Sequence, residues 1–242
     1  MEQPIFYDIT LRDGNQSLKK PWSLKEKIKV FQYITELKIK AIEIGFPASS
    51  QMDFEACSTL ADMADENTRV SVLARAHQGD IDRALEAIKN AKKPRIHTFI
   101  TLSPFHMENV LNKKPDVVAA KAIQAVEYTA SNLFKLNKNA DIEFSVEHFG
   151  DCYDNLDFVI DVLKEIVHKG ATTINLPNTV ERYRPKRILD MISKVKKSLP
   201  ENTIISVHNH NDLGMATATT VEAFFNGARQ LECCLNGLGE RT

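Results

Sequence analysis

Two short stretches carry residues whose types and spacing could do chemistry. Near the start, Tyr7-Asp8-Ile9-Thr10-Leu11-Arg12-Asp13-Gly14-Asn15-Gln16 sets an arginine beside an aspartate where an apolar run, Ile5 to Ile9, gives way to a turn. Near the end, His208-Asn209-His210-Asn211-Asp212-Leu213-Gly214 closes a second apolar run, Ile204 to Val207, with two histidines at i and i+2. On a strand that spacing points both imidazoles to one face. One carboxylate and two imidazoles form an oxygen/nitrogen set suited to a divalent metal, whether Mg, Mn, Zn or Co. A lone His-x-His is more often a hydrogen-bonded pair at a strand end. Paired with an Arg-Asp-Gly turn at the far end of a repeating pattern, it reads instead as part of a metal-dependent enzyme.

That repeating pattern must position the two stretches. Short runs rich in β-branched and aromatic residues alternate with longer amphipathic segments whose apolar positions fall three and four apart. The strand candidates are Ile5–Ile9, Ala41–Gly45, Val70–Ala74, Arg95–Thr101, Ile142–Glu147, Thr173–Leu176, Ile204–His208 and Gln230–Leu235. Helices are expected near 24–38, 51–65, 79–91, 116–135, 154–169, 185–198 and 214–227. Ser23, Ser50 and Pro115 with Asp116 supply start signals, and Gly170 and Gly227 supply stops. Eight strands separated by helices predict parallel β/α units and an α/β TIM (β/α)8 barrel. An open doubly wound sheet fits worse, because no G-x-G-x-x-G follows the first strand. The segment from Leu102 to Lys114 reads as the longest loop, with its Ser103-Pro104-Phe105-His106-Met107 tip able to cover the site. After the eighth strand only Asn236 to Thr242 remain, so residues 1–242 read as a single catalytic barrel lacking its eighth helix, with no regulatory domain. Leu231, Cys233 and Leu235 alternate with Glu232 and Cys234 on that strand. An uncovered apolar face there is an expected association site, and a homodimer the expected assembly.

Composition narrows the class. The chain has 242 residues, 43% hydrophobic and 26% charged, with a net charge of −1, values ordinary for a soluble globular protein. Near-zero charge gives no basic footprint for nucleic acid. No apolar run reaches the roughly 18–20 residues that span a bilayer, and Glu2, Gln3 and Pro4 do not begin a secretory leader. Cys57, Cys152, Cys233 and Cys234 show no C-x-x-C spacing, which points to small core residues in a reducing cytoplasm.

In a TIM barrel the active site lies at the C-terminal strand ends. The polar residues placed there are Arg12, Asp13, Glu43, Arg75, His97, Thr101, Ser145, Glu147, Asn175, Thr179, His208 and His210. Any one of them is as readily a hydrogen-bonded structural group. Together they are too costly to gather in a purely structural interior, where each unpaired ionisable group loses several kcal/mol (~ in magnitude).

Tyr7-Asp8-Ile9-Thr10-Leu11-Arg12-Asp13-Gly14-x-Gln16 resembles the signature of the DRE-TIM metallolyases. That family includes 2-isopropylmalate, homocitrate and citramalate synthases and hydroxymethylglutaryl-CoA lyase. Glu43-Ile44-Gly45-Phe46-Pro47, Leu73-Ala74-Arg75-Ala76, Arg95-Ile96-His97-Thr98-Phe99-Ile100-Thr101-Leu102-Ser103 and Asn175-Leu176-Pro177-Asn178-Thr179-Val180-Glu181 are similar to the 2-isopropylmalate synthases within it, as is Asn236-Gly237-Leu238-Gly239-Glu240-Arg241-Thr242. The resemblance covers nearly the whole chain.

What it implies is a Claisen-type condensation of acetyl-CoA with a 2-oxo acid, 2-oxoisovalerate for leucine biosynthesis, followed by thioester hydrolysis. It implies Asp13, His208 and His210 as ligands of a divalent cation acting as a Lewis acid on the 2-oxo acid. Arg12 would neutralise the developing oxyanion, and Glu147 would serve near acetyl-CoA as a base or its orienter. Thr179 would bind the substrate carboxylate, His97, Ser145 and Asn175 would shape the pocket, and Glu43 is a further inner polar candidate. Alternatives are condensation with another 2-oxo acid, or a barrel that only binds metal or assembles. The family continues past Gly-Glu-Arg-Thr with Gly-Asn, whose Asn is a further metal ligand. The stretch His148-Phe149-Gly150-Asp151-Cys152-Tyr153 departs from the loop expected of most members.

Overall fold

Each strand runs parallel to the one before it, and the last pairs back onto the first. The structure, a computed structural model, describes residues 3–241. Its strands are β1 (Ile5–Asp8), β2 (Ala41–Glu43), β3 (Arg69–Arg75), β4 (Pro94–Thr101), β5 (Asp141–Glu147), β6 (Thr173–Asn178), β7 (Ile204–Asn209) and β8 (Gln230–Cys233), closed in the order β1 to β8. Closure is the β1–β8 ladder, with Ile5 beside Gln230 and Asp8 beside Cys233. This is the expected TIM barrel; the open-sheet alternative falls.

The helices are α1 (Leu24–Glu36), α2 (Gln51–Met63), α3 (Gln78–Ala87), α4 (Pro104–Asn109), α5 (Pro115–Leu136), α6 (Leu156–His168), α7 (Pro185–Ser198) and α8 (Ala216–Phe225). Their starts follow from local chemistry. Ser23 and Glu26 form a reciprocal capping box on α1, and Ser50 accepts from Asp53 N–H on α2. Prolines open α4, α5 and α7, where a missing N–H costs nothing. None of the described helices is long and apolar enough to cross a membrane.

The apolar core lies between sheet and helix ring. Outward-facing Ile42, Val70, Val72, Ile96, Ile142, Phe144, Ile174, Ile205 and Val207 belong to one buried cluster with Leu60, Ile81, Val126, Leu163 and Ile192 of the helices. Strand alternation then turns the other face of each strand into the barrel, and that face is polar.

Two expectations are corrected. The segment from Leu102 to Lys114 is not all loop. Pro104 at the first helical position starts α4, which buries Met107. The eighth strand ends at Cys233 rather than Leu235, because Leu235 N–H is taken by Thr10 Oγ1 (2.8 Å) and Asn236 turns the chain with φ of 53°. The predicted Leu231/Cys233/Leu235 alternation therefore stops at Cys233. No α-helix follows β8 among the described residues, only a short 3-10 turn at Leu235–Gly237, and Phe6 (50% exposed) and Val221 (48%) share a groove with Leu231 and Cys233.

Candidate active site

The barrel interior is built in polar layers. At its floor, Arg95 Nη1 donates to Glu143 Oε2 (2.6 Å) and to Gln230 Oε1 (2.7 Å), while Gln230 Nε2 donates to Glu143 (2.9 Å) and to Ser206 Oγ (2.9 Å). Arg95 also forks onto Asp141, Nε to Oδ1 at 2.6 Å and Nη2 to Oδ2 at 3.1 Å. Burial raises the Glu143 pKa, and Arg95 opposes it. A network so fully partnered avoids the penalty of orphaned charges in a dry interior.

Above it, a relay crosses from β2 to β6. Tyr7 hydroxyl donates to Glu43 Oε1 (3.2 Å), and Glu43 also meets His97 Nδ1 (2.7 Å). His97 Nε2 meets Ser145 Oγ (2.6 Å), to which Asn175 Nδ2 donates (2.8 Å). Burial alone would lower the His97 pKa, but the carboxylates of Glu143 and Glu43 outweigh it and raise it. Asn175 Oδ1 is buried and finds no donor within the protein, so an acceptor is left over beside the cavity.

The mouth carries the metal-ligand set. A π-helical turn, Thr10–Gly14, follows β1 and brings Arg12 and Asp13 over the barrel. Arg12 Nη1 donates to Asp13 Oδ1 (2.9 Å), and Arg12 Nε donates to Glu43 Oε2. His208 is the last residue but one of β7, and His210 directly follows the strand. One ligand atom each of Asp13, His208 and His210 lie within 4.8 Å of one another, and all three residues are buried. The second nitrogen of each imidazole is already engaged. His208 Nδ1 meets Glu232 Oε2 (2.7 Å), and His210 Nδ1 meets the Glu240 carbonyl (2.8 Å). Both rings thus leave Nε2 as the nitrogen not engaged by these contacts, the orientation that ligating histidines characteristically have. Although burial alone would lower the His208 pKa, Glu232 outweighs it and raises it. Burial would raise the Asp13 pKa, yet Arg12, His208 and His210 outweigh it and hold the carboxyl below its ordinary value. Burial and then His208 depress His210 to about 4, which keeps it neutral. The donor set fits a divalent cation.

A cavity of about 270 Å³ opens directly over these groups. Of the predicted residues, Arg12, Asp13, His97, Ser145, Glu147, Asn175, Thr179, His208 and His210 line it, together with apolar Phe46, Leu73, Phe99 and Pro177. Glu43 does not. It is fully buried behind Arg12 and His97. Arg75 is also elsewhere, largely exposed and held by Asp80 (2.6 Å). Thr179 Oγ1 accepts the His148 N–H (2.9 Å). Burial raises the Glu147 pKa, with Arg12 opposing. Unanticipated lining residues are Gln16, Glu240 and Arg241. Glu232 was unanticipated as well, although its parity with Gln230 on one face of the eighth strand was a usable signal.

An eight-stranded α/β barrel with an Arg-Asp turn after β1 and His-x-His at the end of β7, both facing one cavity, is the class of protein defined here. More narrowly, the HMGL-like family profile matches residues 3–242, and the chain belongs to that family. It is 47% identical over 238 residues to 2-isopropylmalate synthase 2 of Leptospira interrogans, covering 98% of this chain and 55% of that protein. It is 41% identical over 239 residues to 2-isopropylmalate synthase of Nitrosospira multiformis, covering 98% and 45%. The chain therefore spans about half the length of these relatives. Among solved structures it resembles the HMG-CoA lyase of Bacillus subtilis, with a TM-score of 0.81 at 18% identity over 100% of this chain and 80% of that one. The carboxyl transferase domain of Rhizobium etli pyruvate carboxylase aligns with a TM-score of 0.73 at 14% identity, over 100% of this chain and 42% of that one. These two likenesses concern the fold.

Proposed function

We propose that this chain is the catalytic barrel of an acyltransferase of the 2-isopropylmalate synthase type, condensing acetyl-CoA with 2-oxoisovalerate to give 2-isopropylmalate and CoA. The observation that carries the reading is the convergence of Asp13, His208 and His210 beside Arg12, with Glu147 on the same cavity. Asp13, His208 and His210 would hold a divalent cation, which would supply Lewis acidity at the carbonyl of the 2-oxo acid. Glu147, with its raised pKa, is suited to take a proton from the acetyl methyl group, freeing that carbon to bond to the keto carbon. Arg12 offsets the negative charge that gathers on the keto oxygen as the bond forms. Water then cleaves the thioester and releases CoA. Thr179 would hold the substrate carboxylate through its hydroxyl, while His97, Ser145 and Asn175, which line the same cavity, would form the polar wall of the pocket.

Phe46, Leu73, Phe99 and Pro177 favour a branched apolar side chain on the 2-oxo acid. A distal carboxylate would need a free cation. Arg241, the other lining arginine besides Arg12, is already bound to Asp212 (2.7 Å) and to the Thr179 carbonyl. The test is CoA release from acetyl-CoA, assayed with a panel of 2-oxo acids and divalent metals. Turnover that is greatest with 2-oxoisovalerate and lost in Asp13→Ala supports the reading. Preference for 2-oxoglutarate or pyruvate would move the chain to another condensation, and metal-independent turnover would sink the mechanism.

A further inference from the structure

A second group of metal-ligating side chains sits on the loops above β4 and β5, and the proposed reaction does not use it. His106 lies on α4, and His148 and Asp151 lie in the turn that follows β5. One ligand atom from each lies within 4.8 Å of the other two. We propose that His106, His148 and Asp151 form a second site for a divalent transition metal of the zinc class, which pins α4 to the turn after β5.

Three independent features point to a ligand. First, His148 Nδ1 is buried and makes no hydrogen bond. It lies 3.3 Å from Asp151 Oδ2 but off the line that a ring N–H would need. A buried ring nitrogen left beside a carboxylate without a hydrogen bond is an unsatisfied polar group as the protein stands, and a coordination position once a cation lies between them. Second, His148 is held at φ 58° and ψ 35°, a left-handed conformation that a residue with a Cβ adopts at a cost. The turn tolerates that conformation and thereby brings the ring against His106, centroids 3.6 Å apart and planes 21° from parallel, a stack out of which the rings turn for their in-plane lone pairs to converge on one cation. Third, His106 Nδ1 meets Ser103 Oγ (3.1 Å), the outer partner that a ligating imidazole characteristically has.

The protonation states agree with this geometry. Burial lowers the pKa of both histidines, and His106 lowers His148 further, so both rings are neutral and offer lone pairs at neutral pH. Arg182 Nε lies 3.5 Å from Asp151 Oδ1 and is the competing cation, but its side chain is half exposed and can swing into solvent. Two imidazoles and one carboxylate suit Zn²⁺, Co²⁺ or Ni²⁺ rather than Mg²⁺ or Ca²⁺, which prefer all-oxygen sets. Three protein ligands leave the fourth position to water.

Cobalt(II) is the probe, used on the metal-stripped intact chain. His208→Ala/His210→Ala removes the candidate active-site cluster and isolates the second site. That double variant is expected to bind one Co²⁺ per chain, with visible absorption bands of low coordination number. Excess Mg²⁺ should leave the bands unchanged and Zn²⁺ should abolish them. Adding His148→Asn, which keeps a residue tolerant of the left-handed turn, should eliminate binding. His106→Gln gives the same readout from α4 if the turn variant does not fold. No Co²⁺ bound by the double variant, or binding indifferent to both further substitutions, overturns the proposal. Failure of the active-site assignment would be seen separately, as an unchanged metal count on introducing His208→Ala/His210→Ala.

Discussion

His208 Nδ1 meets Glu232 Oε2 at 2.7 Å, and this one contact fixes which nitrogen of the ring remains for a metal. Glu232 is fully buried at its side chain and comes from the neighbouring strand, so the pair is held by the β7–β8 register rather than by flexible loops. A carboxylate behind a ligating imidazole raises its basicity and orients it. Removing such a partner typically lowers metal affinity by about 10–100-fold. Glu232→Gln keeps the shape and an acceptor oxygen but removes the charge. A loss in that range, measured by metal titration on a folded variant, is expected. An unchanged affinity would mean that packing alone orients His208.

Arg12 has two roles that a substitution can separate. Its Nη1 donates to Asp13 (2.9 Å) and its Nε donates to Glu43, so the guanidinium is aimed before any substrate arrives. Arg12→Lys retains a positive charge without the planar fork. If Arg12 answers charge that develops only in the transition state, kcat falls by about 10²–10³ with a smaller change in KM. A variant defective only in KM for the 2-oxo acid would reduce Arg12 to a substrate-binding group.

Glu147 gives the pH prediction. Burial, opposed by Arg12, lifts its pKa above the ordinary glutamate range, so the folded protein holds this proton at pH values where the unfolded chain has released it. Stability contributed by that proton is complete below the unfolded pKa and is lost as pH rises through the raised folded value. Glu147→Gln should therefore flatten the fall in melting temperature from mildly acidic to neutral pH. Activity should change in the opposite direction. The wild-type rate should drop as pH falls through the raised pKa, and Glu147→Gln should remove both the rate and that limb. An acidic limb that persists in residual Glu147→Gln turnover would assign the titration to another group.

The mouth of the barrel was legible in the sequence because its residues are local. Arg12-Asp13 sits in one turn after the first strand and His208-Asn209-His210 at the end of another, and period-two geometry predicted one shared face for the two histidines. The barrel itself followed from the alternation of eight apolar runs with amphipathic segments. What stayed hidden depends on pairings distant in sequence. Glu43 looked like a pocket residue until its partners, Arg12 and His97, were seen to lie between it and the cavity. Glu232 stands 24 residues from the histidine it orients, and only the closure of β8 onto its neighbours brings them together. The helix at Pro104–Asn109 was missed because six residues are too few to show an apolar period.

The floor of the barrel makes the most demanding stability prediction. Arg95 binds Asp141, Glu143 and Gln230 at once, yet the two carboxylates do not depend on it equally. Asp141 keeps a second cation, Arg69 Nη1 at 3.0 Å, whereas Glu143 is fully buried and its other partner is the neutral Gln230. Arg95→Met would therefore orphan Glu143. Breaking a buried pair from one side typically costs about 3–5 kcal/mol, and urea denaturation should read a loss of that size. The loss should also depend on pH. Burial already raises the Glu143 pKa and Arg95 holds it down, so without Arg95 it rises further and the native state takes up a proton that the unfolded chain lacks at neutral pH. By linkage the variant should lose more stability at pH 8 than at pH 5. Arg95→Met/Glu143→Leu, which removes both charges, should recover much of the loss and most of its pH dependence. If the double variant is as unstable as the single one, at both pH values, the floor is held by packing around Arg95 and not by its charge.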